Sequence, residues 1–167
     1  KFFCFMLFWY AIPFLPKNAK IIDVGGGYSN LVDFLLDEGF ENITILDISA
    51  KAIEKAQKRL GNKANQVNWI VSDITDFKPE NSFDVWHDRA AFHFLTTEEQ
   101  ISKYVETVKQ FVKGFVTIGT FSKNGPLKCS GLEIRQYNEN SPTELFSKDF
   151  DKIICISSFL LIIDIWK

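Results

Sequence analysis

The run Lys20–Val24 breaks off into Gly25, Gly26 and Gly27, and a helix-like pattern begins directly afterwards, in the segment IIDVGGGYSNLVDFLLDE. Three consecutive glycines weaken any regular element. The backbone there must either turn very tightly or have something lying directly against it. A strand that enters a helix through such a loop opens a βα unit, and the rest of the chain repeats the alternation.

Apolar periodicity predicts strands at Lys20–Val24, Asn42–Ile48, Val67–Val71, Phe83–Trp86 and Phe115–Phe121. Helices are predicted at Ser29–Glu38, ended by Gly39, and at Ala50–Leu60, capped by Ser49 and closed by Gly61. A longer helix runs from Thr96 or Thr97 to about Val112, with Glu98 and Glu99 in its first turn and Gly114 as its stop. A polar loop, Ser122–Asn140, leads to a short helix starting at Ser141-Pro142, and the apolar end supplies one or two last strands. Strand and helix alternating at this spacing means right-handed βαβ units, a mostly parallel α/β sheet and one domain over residues 1–167.

Composition agrees: 167 residues, 46% hydrophobic and 24% charged, suit one globular core. A net charge of −2 and a pI of about 5.7 exclude a broadly basic, nucleic-acid-binding surface. Cys4, Cys129 and Cys155 are few, odd in number and far apart, so a disulfide framework is not expected and a reducing, cytoplasmic setting is. The apolar run Phe2–Ile12 is too short to span a bilayer; it reads as a lid over a ligand or as a targeting segment.

Ligands in such sheets bind beyond the carboxyl ends of the strands. Three of those ends carry short polar residues: the glycine loop, Asp47, and Ser72-Asp73-Ile74. Asp47 stands twenty positions after Gly27, where an acid accepts hydrogen bonds from both ribose hydroxyls. The third glycine of the dinucleotide fingerprint is replaced by Asn30, and Asp23 would face a pyrophosphate. Both weigh against NAD(P) and toward an adenosine ligand carrying an amine and a sulfonium.

With IDVGGGYSNLVDFLLDEGFENITILDIS, SDI and FDVWHDRAAFHFLT, the chain resembles the class I S-adenosylmethionine-dependent methyltransferases over about residues 20–148. That resemblance implies a Rossmann-like sheet with helices on both faces, and S-adenosyl-L-methionine as cofactor. It assigns cofactor binding to Asp23, Gly25, Gly26, Gly27 and Ser29 in the first motif, Asp47 with Ile48 at the ribose, and Asp73-Ile74 beside the adenine. The run Asp88-Arg89-Ala90-Ala91 is similar in layout to protein-lysine methyltransferases of translation factors; bacterial proteins of unassigned substrate share WHDRA-FHFL and the later GP-KCSGLE--QY. The implied acceptor is a protein side chain or a small molecule. Against the family pattern, the C-terminal strands after residue 148 are short, and Trp9-Tyr10 would be what remains of an N-terminal lid.

Methyl transfer is an in-line displacement that needs positioning, and a base only if the nucleophile must lose a proton. The two histidines, His87 and His93, both follow the fourth strand and are the candidate bases, with Asp88 as an orienting or cofactor-contacting group. The structural alternatives are a strand-capping His87, a packed His93 and a local Asp88-Arg89 ion pair. No residues show metal-ligand spacing, so no metal site is expected. The run WHDRAAF lacks the Pro-Pro of amino-methylating DNA enzymes, which with the low pI argues against DNA. Residues 122–137 read as a substrate lid with Cys129, Arg135 and Tyr137 as contacts, or as a solvated loop. Phe92, Phe94 and Phe121 read as pocket wall or as core. Two further functions remain open: an NAD(P)-binding oxidoreductase, although no Tyr-x-x-x-Lys pair occurs, and a non-catalytic cofactor-binding domain.

Overall fold

The structure, a computed structural model, describes residues 12–89, 91–157 and 161–167. The expectations placed on residues 1–11, the lid with Trp9-Tyr10 and the targeting segment among them, lie outside the described residues, as does Ala90.

Five strands, β1 (Lys20–Val24), β2 (Asn42–Asp47), β3 (Val67–Val71), β4 (Phe83–Asp88) and β5 (Val112–Phe121), form the parallel part of the sheet. Two more close one edge: β9 (Leu161–Trp166) pairs antiparallel with β5, and β8 (Lys152–Ser157) pairs antiparallel with β9 and so runs in the direction of the first five. The seven-stranded order is β3-β2-β1-β4-β5-β9-β8, and the two final strands take six residues each. A two-residue ribbon, β6 (Lys128–Cys129) with β7 (Leu132–Glu133), stands in the loop that was expected to be irregular. The order reverses between β1 and β4, which places the ligand edge at the carboxyl ends of these strands.

Strand alternation sends successive side chains to opposite faces. Ile21, Ile43, Ile45 and Val85 pack on one face against Leu31, Val32 and Leu35 of α1 (Leu31–Asp37). Ile22, Val24, Trp86, Val116 and Ile118 pack on the other against Ile101, Tyr104, Val105 and Val108 of α3 (Glu98–Phe111) and Phe146 of α4 (Ser141–Phe146). Helix α2 (Ala50–Leu60) buries Ala52, Ile53 and Ala56. It is tied to α1 by Arg59, which forks onto Asp33 at 3.1 and 2.7 Å and also donates to the Ser29 carbonyl.

Helix α1 starts at Leu31 rather than Ser29 and ends at Asp37, β2 ends at Asp47 rather than Ile48, and two further boundaries differ with more consequence. Strand β4 runs two residues past Trp86, so His87 and Asp88 are strand residues facing opposite sides of the sheet. Gly114 does not stop α3. The chain turns extended at Val112, and Gly114 lies inside β5, where a Cβ would collide with the Asp84 carbonyl beside the register shift between Phe83 and Val85.

The start of α3 is resolved in favour of Thr97: its Oγ1 accepts from the Gln100 N–H at 3.3 Å while Gln100 Oε1 accepts from the Thr97 N–H at 3.2 Å, a capping box. Thr97→Ala should therefore cost about 1 kcal/mol of stability. Thr96→Ala should stay within about 0.5 kcal/mol, as surface changes usually do. Urea unfolding of both variants checks the difference.

Candidate functional site

The glycine turn is first a packing device. Gly25 sits at φ +72°, in the left-handed region, and donates to the Leu46 carbonyl at 2.7 Å, joining the end of β1 to the end of β2. A Cβ on Gly26 would lie 2.6 Å from Asp23 Oδ2, and one on Gly27 would lie 2.6 Å from the Ala52 Cβ and 2.8 Å from Asp47 Oδ2. A side chain at Gly27 would thus strike the protein itself before it met any ligand. Gly27→Val is accordingly no clean probe of cofactor contact.

Asp47 is the hinge of this edge. Its Oδ2 accepts from the Gly27 N–H at 2.9 Å and its Oδ1 from the Ser49 N–H at 2.8 Å, and the residue is nearly buried. Ionised, a carboxylate has about four lone-pair sites, so two acceptor positions remain for ribose hydroxyls. Ser29 is a helix-starting residue, its Oγ accepting from the Leu31 N–H at 3.0 Å. Asp73 Oδ1 accepts from both the N–H and the hydroxyl of Thr75 at 2.8 Å, closing the turn after β3, while Ile74 belongs to the core facing α3. Beside them, Tyr28, Ile48 and Val71 are exposed, Ile48 by 69%. This gives an apolar rim at the ends of β1–β3 that suits the face of a base.

Asp23 and His87 are register partners on β1 and β4 and share a face. His87 Nδ1 donates to Asp23 Oδ1 at 2.7 Å, with both side chains almost wholly buried. Asp23 Oδ2, buried against Gly26, has no hydrogen-bond partner among the described residues. An orphaned carboxylate oxygen under the glycine turn fits a cofactor that brings an ammonium to that spot.

Asp88 points the other way, and its expected contact with cofactor or substrate is corrected here. Its Oδ1 accepts from the Ala91 and Phe92 N–H groups at 2.8 and 3.3 Å, capping the turn Phe92–Phe94. Its Oδ2 accepts from Tyr104 Oη at 2.8 Å, and Tyr104 Oη in turn accepts from Trp86 Nε1 at 2.8 Å. Burial raises the Asp88 carboxyl to about 6 against these hydrogen bonds, and burial likewise raises the Tyr104 phenol well above its usual range. Sequence reading missed Tyr104 and Trp86 as partners of Asp88; the only signal was their apolar periodicity, which marks core.

His93 is 3% exposed, its ring 4.4 Å from Phe94 and 5.0 Å from Phe121, and among the described residues neither ring nitrogen has a hydrogen-bond partner. Burial lowers it to about 4, so the imidazole is neutral at pH 7 and cannot produce a rise in activity near pH 6.5. Each orphaned polar atom of this kind costs about 1–3 kcal/mol. Of the loop residues, Tyr137 is buried and stacks on Phe92 at 5.2 Å, Arg135 pairs with Glu98 at 2.6 Å, and Cys129 is half-buried. A cavity of about 570 Å³ among Lys20, Asn42, Thr44, Asn68 and Phe83 opens at the amino ends of the strands, away from the glycine turn. Among the described residues no cluster has the makings of a metal site, and no helix is long and apolar enough to cross a membrane.

The sheet order β3-β2-β1-β4-β5-β9-β8 with β9 antiparallel, a glycine turn after β1 and an acid at the end of β2 fit a class I S-adenosylmethionine-dependent methyltransferase fold. The family described as "Methyltransferase domain" matches residues 21–114, more than half of the chain, and the chain belongs to it. It is 26% identical over 140 residues to malonyl-[acyl-carrier protein] O-methyltransferase 1 of Ilyobacter polytropus, covering 82% of this chain and 49% of that protein. It is also 26% identical over 88 residues to the mouse eEF1A lysine and N-terminal methyltransferase, covering 52% of this chain and 13% of the relative. The chain spans about half or less of the length of these curated relatives. Among solved structures, an S-adenosylmethionine-dependent methyltransferase from Clostridium acetobutylicum superposes with TM-score 0.80 at 12% identity, covering 98% of this chain and 89% of that one. The Burkholderia thailandensis 1,6-didemethyltoxoflavin-N1-methyltransferase, with bound S-adenosylhomocysteine, gives 0.70 at 17% identity, covering 89% and 70%. The cofactor of this family is S-adenosylmethionine, and nothing in these matches supports the oxidoreductase alternative.

The Asp88 shift gives a testable pH dependence. The folded carboxyl, at about 6, holds its proton more tightly than the unfolded one, at about 3.9. Its stabilising contribution is present below the unfolded pKa and is lost as pH rises through about 6, on the order of 2–3 kcal/mol in all. Asp88→Asn cannot titrate. Its stability relative to wild type should therefore improve by that order between pH 4 and pH 7 in urea unfolding. A constant difference would place the titration elsewhere.

Proposed function

We propose that this domain transfers the methyl group of S-adenosylmethionine to a protein side chain or a small molecule. The observation that carries the reading is the Asp47 carboxylate, held by the Gly27 and Ser49 N–H groups where a ribose would lie. In the proposed site Asp23 Oδ2 receives the cofactor's ammonium, the backbone of Gly25–Gly27 passes its methionine end, Asp47 takes the ribose, and Ile48 with the turn at Asp73-Ile74 borders the adenine. Ser29 contributes by starting α1 behind the turn. His87 orients Asp23 and stands below the reacting centre, while Asp88 shapes the turn that carries His93. The bound sulfonium supplies an electrophilic methyl group; the chain supplies placement and exclusion of water.

Relatives named for an acyl-carrier-protein substrate, for lysine and N-terminal methylation and for a heterocycle support both acceptor classes. The pI of about 5.7 supports an acceptor other than DNA, and three widely spaced cysteines support a cytoplasmic setting.

Hydrogen bonds to a charged acceptor contribute about 1.5–3 kcal/mol each. Asp47→Ala should weaken S-adenosylhomocysteine binding at least about tenfold in calorimetry. Because Asp47 also holds two backbone N–H groups, Asp47→Asn and ligand-free urea unfolding should accompany it. A folded Asp47→Ala protein losing less than threefold would remove Asp47 from the ribose site.

A further inference from the structure

His93 is an odd choice for its place. The turn Phe92–Phe94 is otherwise phenylalanine, and Phe121 lies against the ring edge-on. A phenylalanine at position 93 would fill a similar volume and bury no ring nitrogen, yet the chain keeps an imidazole there whose two nitrogens have no partner among the described residues.

The backbone of His93 anchors the strap of residues 122–137. Its Arg135 N–H donates to the His93 carbonyl at 2.8 Å, and the Tyr137 N–H donates to the Phe121 carbonyl at 2.9 Å. The strap is closed on itself by Gln136 Nε2 donating to the Gly125 carbonyl at 2.6 Å, and latched to α3 by the Arg135–Glu98 pair. That pair is largely in solvent, so the latch is a weak one. The strap follows β5, at the same sheet edge as the glycine turn.

The carboxylates on the surrounding elements are engaged or turned outward. Asp88 serves the Ala91, Phe92 and Tyr104 groups, Glu98 pairs with Arg135, and Glu133 is exposed on β7. A lysine ammonium seated here would find aromatic rings and an imidazole but no carboxylate to pair with, which burial makes unfavourable.

We propose that His93 contacts the methyl acceptor, hydrogen-bonding an uncharged hydroxyl, thiol or ring N–H of a flat small molecule that sits under the 122–137 strap. This rests on the methyltransferase reading and narrows its acceptor. In the transfer the cofactor's carbon–sulfur bond breaks, the carbon–X bond forms, and the X–H proton leaves to water. Burial makes His93 too weak a base to keep that proton at neutral pH, so it aligns the nucleophile and does not deprotonate it. Acceptors whose X–H is readily lost, such as aryl hydroxyls and thiols, meet that condition.

The test uses labelled S-adenosylmethionine with wild type, His93→Phe and His93→Gln. One arm offers phenol, thiophenol and the low-molecular-weight fraction of a bacterial extract; the other offers poly-L-lysine and the protein fraction. Label should enter the small-molecule arm. His93→Phe should lower kcat/KM at least about tenfold there, with S-adenosylhomocysteine affinity within twofold and a urea midpoint equal to or above wild type. His93→Gln, which keeps a hydrogen-bonding group, should recover part of the loss. Label in poly-L-lysine, or full activity in His93→Phe, overturns the proposal, and so does no transfer to either arm by a protein that binds S-adenosylhomocysteine. Failure to bind S-adenosylhomocysteine at all would instead overturn the methyltransferase reading itself.

Discussion

One carboxylate holds the ligand edge together. Asp47 reaches from the end of β2 to the glycine turn through the Gly27 N–H and to the start of α2 through the Ser49 N–H. The Gly25 N–H meets the neighbouring Leu46 carbonyl, and the Ser72 N–H meets the carbonyl of Asp47 itself, so three strand ends are fastened around a single residue. This is why Gly27 carries no side chain: its backbone must come within hydrogen-bonding distance of Asp47 while Ala52 closes in from α2. An edge fastened in this way has little conformational freedom left to lose, and on the proposed reading this favours binding of a ribose there.

The second constraint is the alternation within β4. Because successive residues face opposite sides, His87 joins Asp23 toward α1 while Asp88 joins Tyr104 toward α3. Two adjacent ionisable residues thus serve two separate networks. The Asp23 pair lies beneath the cofactor turn and leaves one oxygen unsatisfied. The Asp88 network is fully engaged and fixes the turn from which His93 projects. On the proposed reading the unsatisfied oxygen of the first is the one that meets the ligand, while the second serves the fold.

Much of this was legible before any coordinates. Strands β1 and β3 fall on their predicted bounds because the apolar runs are short and punctuated by glycine or polar residues, and α2 does so because Ser49 and Gly61 mark its ends. The glycine turn and Asp47 could be read as neighbours because both stand at the ends of adjacent strands, and the structure brings them together through the Gly27 N–H. What could not be read was orientation. FDVWHD gives no sign in sequence that pairing with β1 and β5 carries the strand through His87 and Asp88, and without that extension Asp88 looks like a solvent-facing loop acid. Gly114 was misread for a related reason: a glycine demanded by a neighbouring backbone at a bulge looks, in sequence, like one that ends a helix. Tyr104 is sixteen residues from Asp88, and no local pattern links a core tyrosine to a carboxylate at that separation.

The family model matches residues 21–114, which hold the glycine turn, Asp47, the β3 turn and the whole of β4, and the alignment with the Ilyobacter polytropus relative covers 82% of the chain. The glycine turn and Asp47 lie on one half of the sheet edge, at β1 and β2, and the strap at 122–137 follows β5 on the other half. An in-line displacement asks the same thing of every methyltransferase on the cofactor side, a fixed sulfonium, so that half is constrained by one ligand. The acceptor side must only bring a nucleophile into line, and any loop with the right contacts can do so. On the proposal made above, that task falls in this chain to a strap anchored by backbone hydrogen bonds to His93 and Phe121 and latched by a solvent-exposed ion pair. Backbone anchors fix where the strap lies without prescribing its side chains, so acceptor choice is free to change while the sheet, the turn and the cofactor pocket stay as they are.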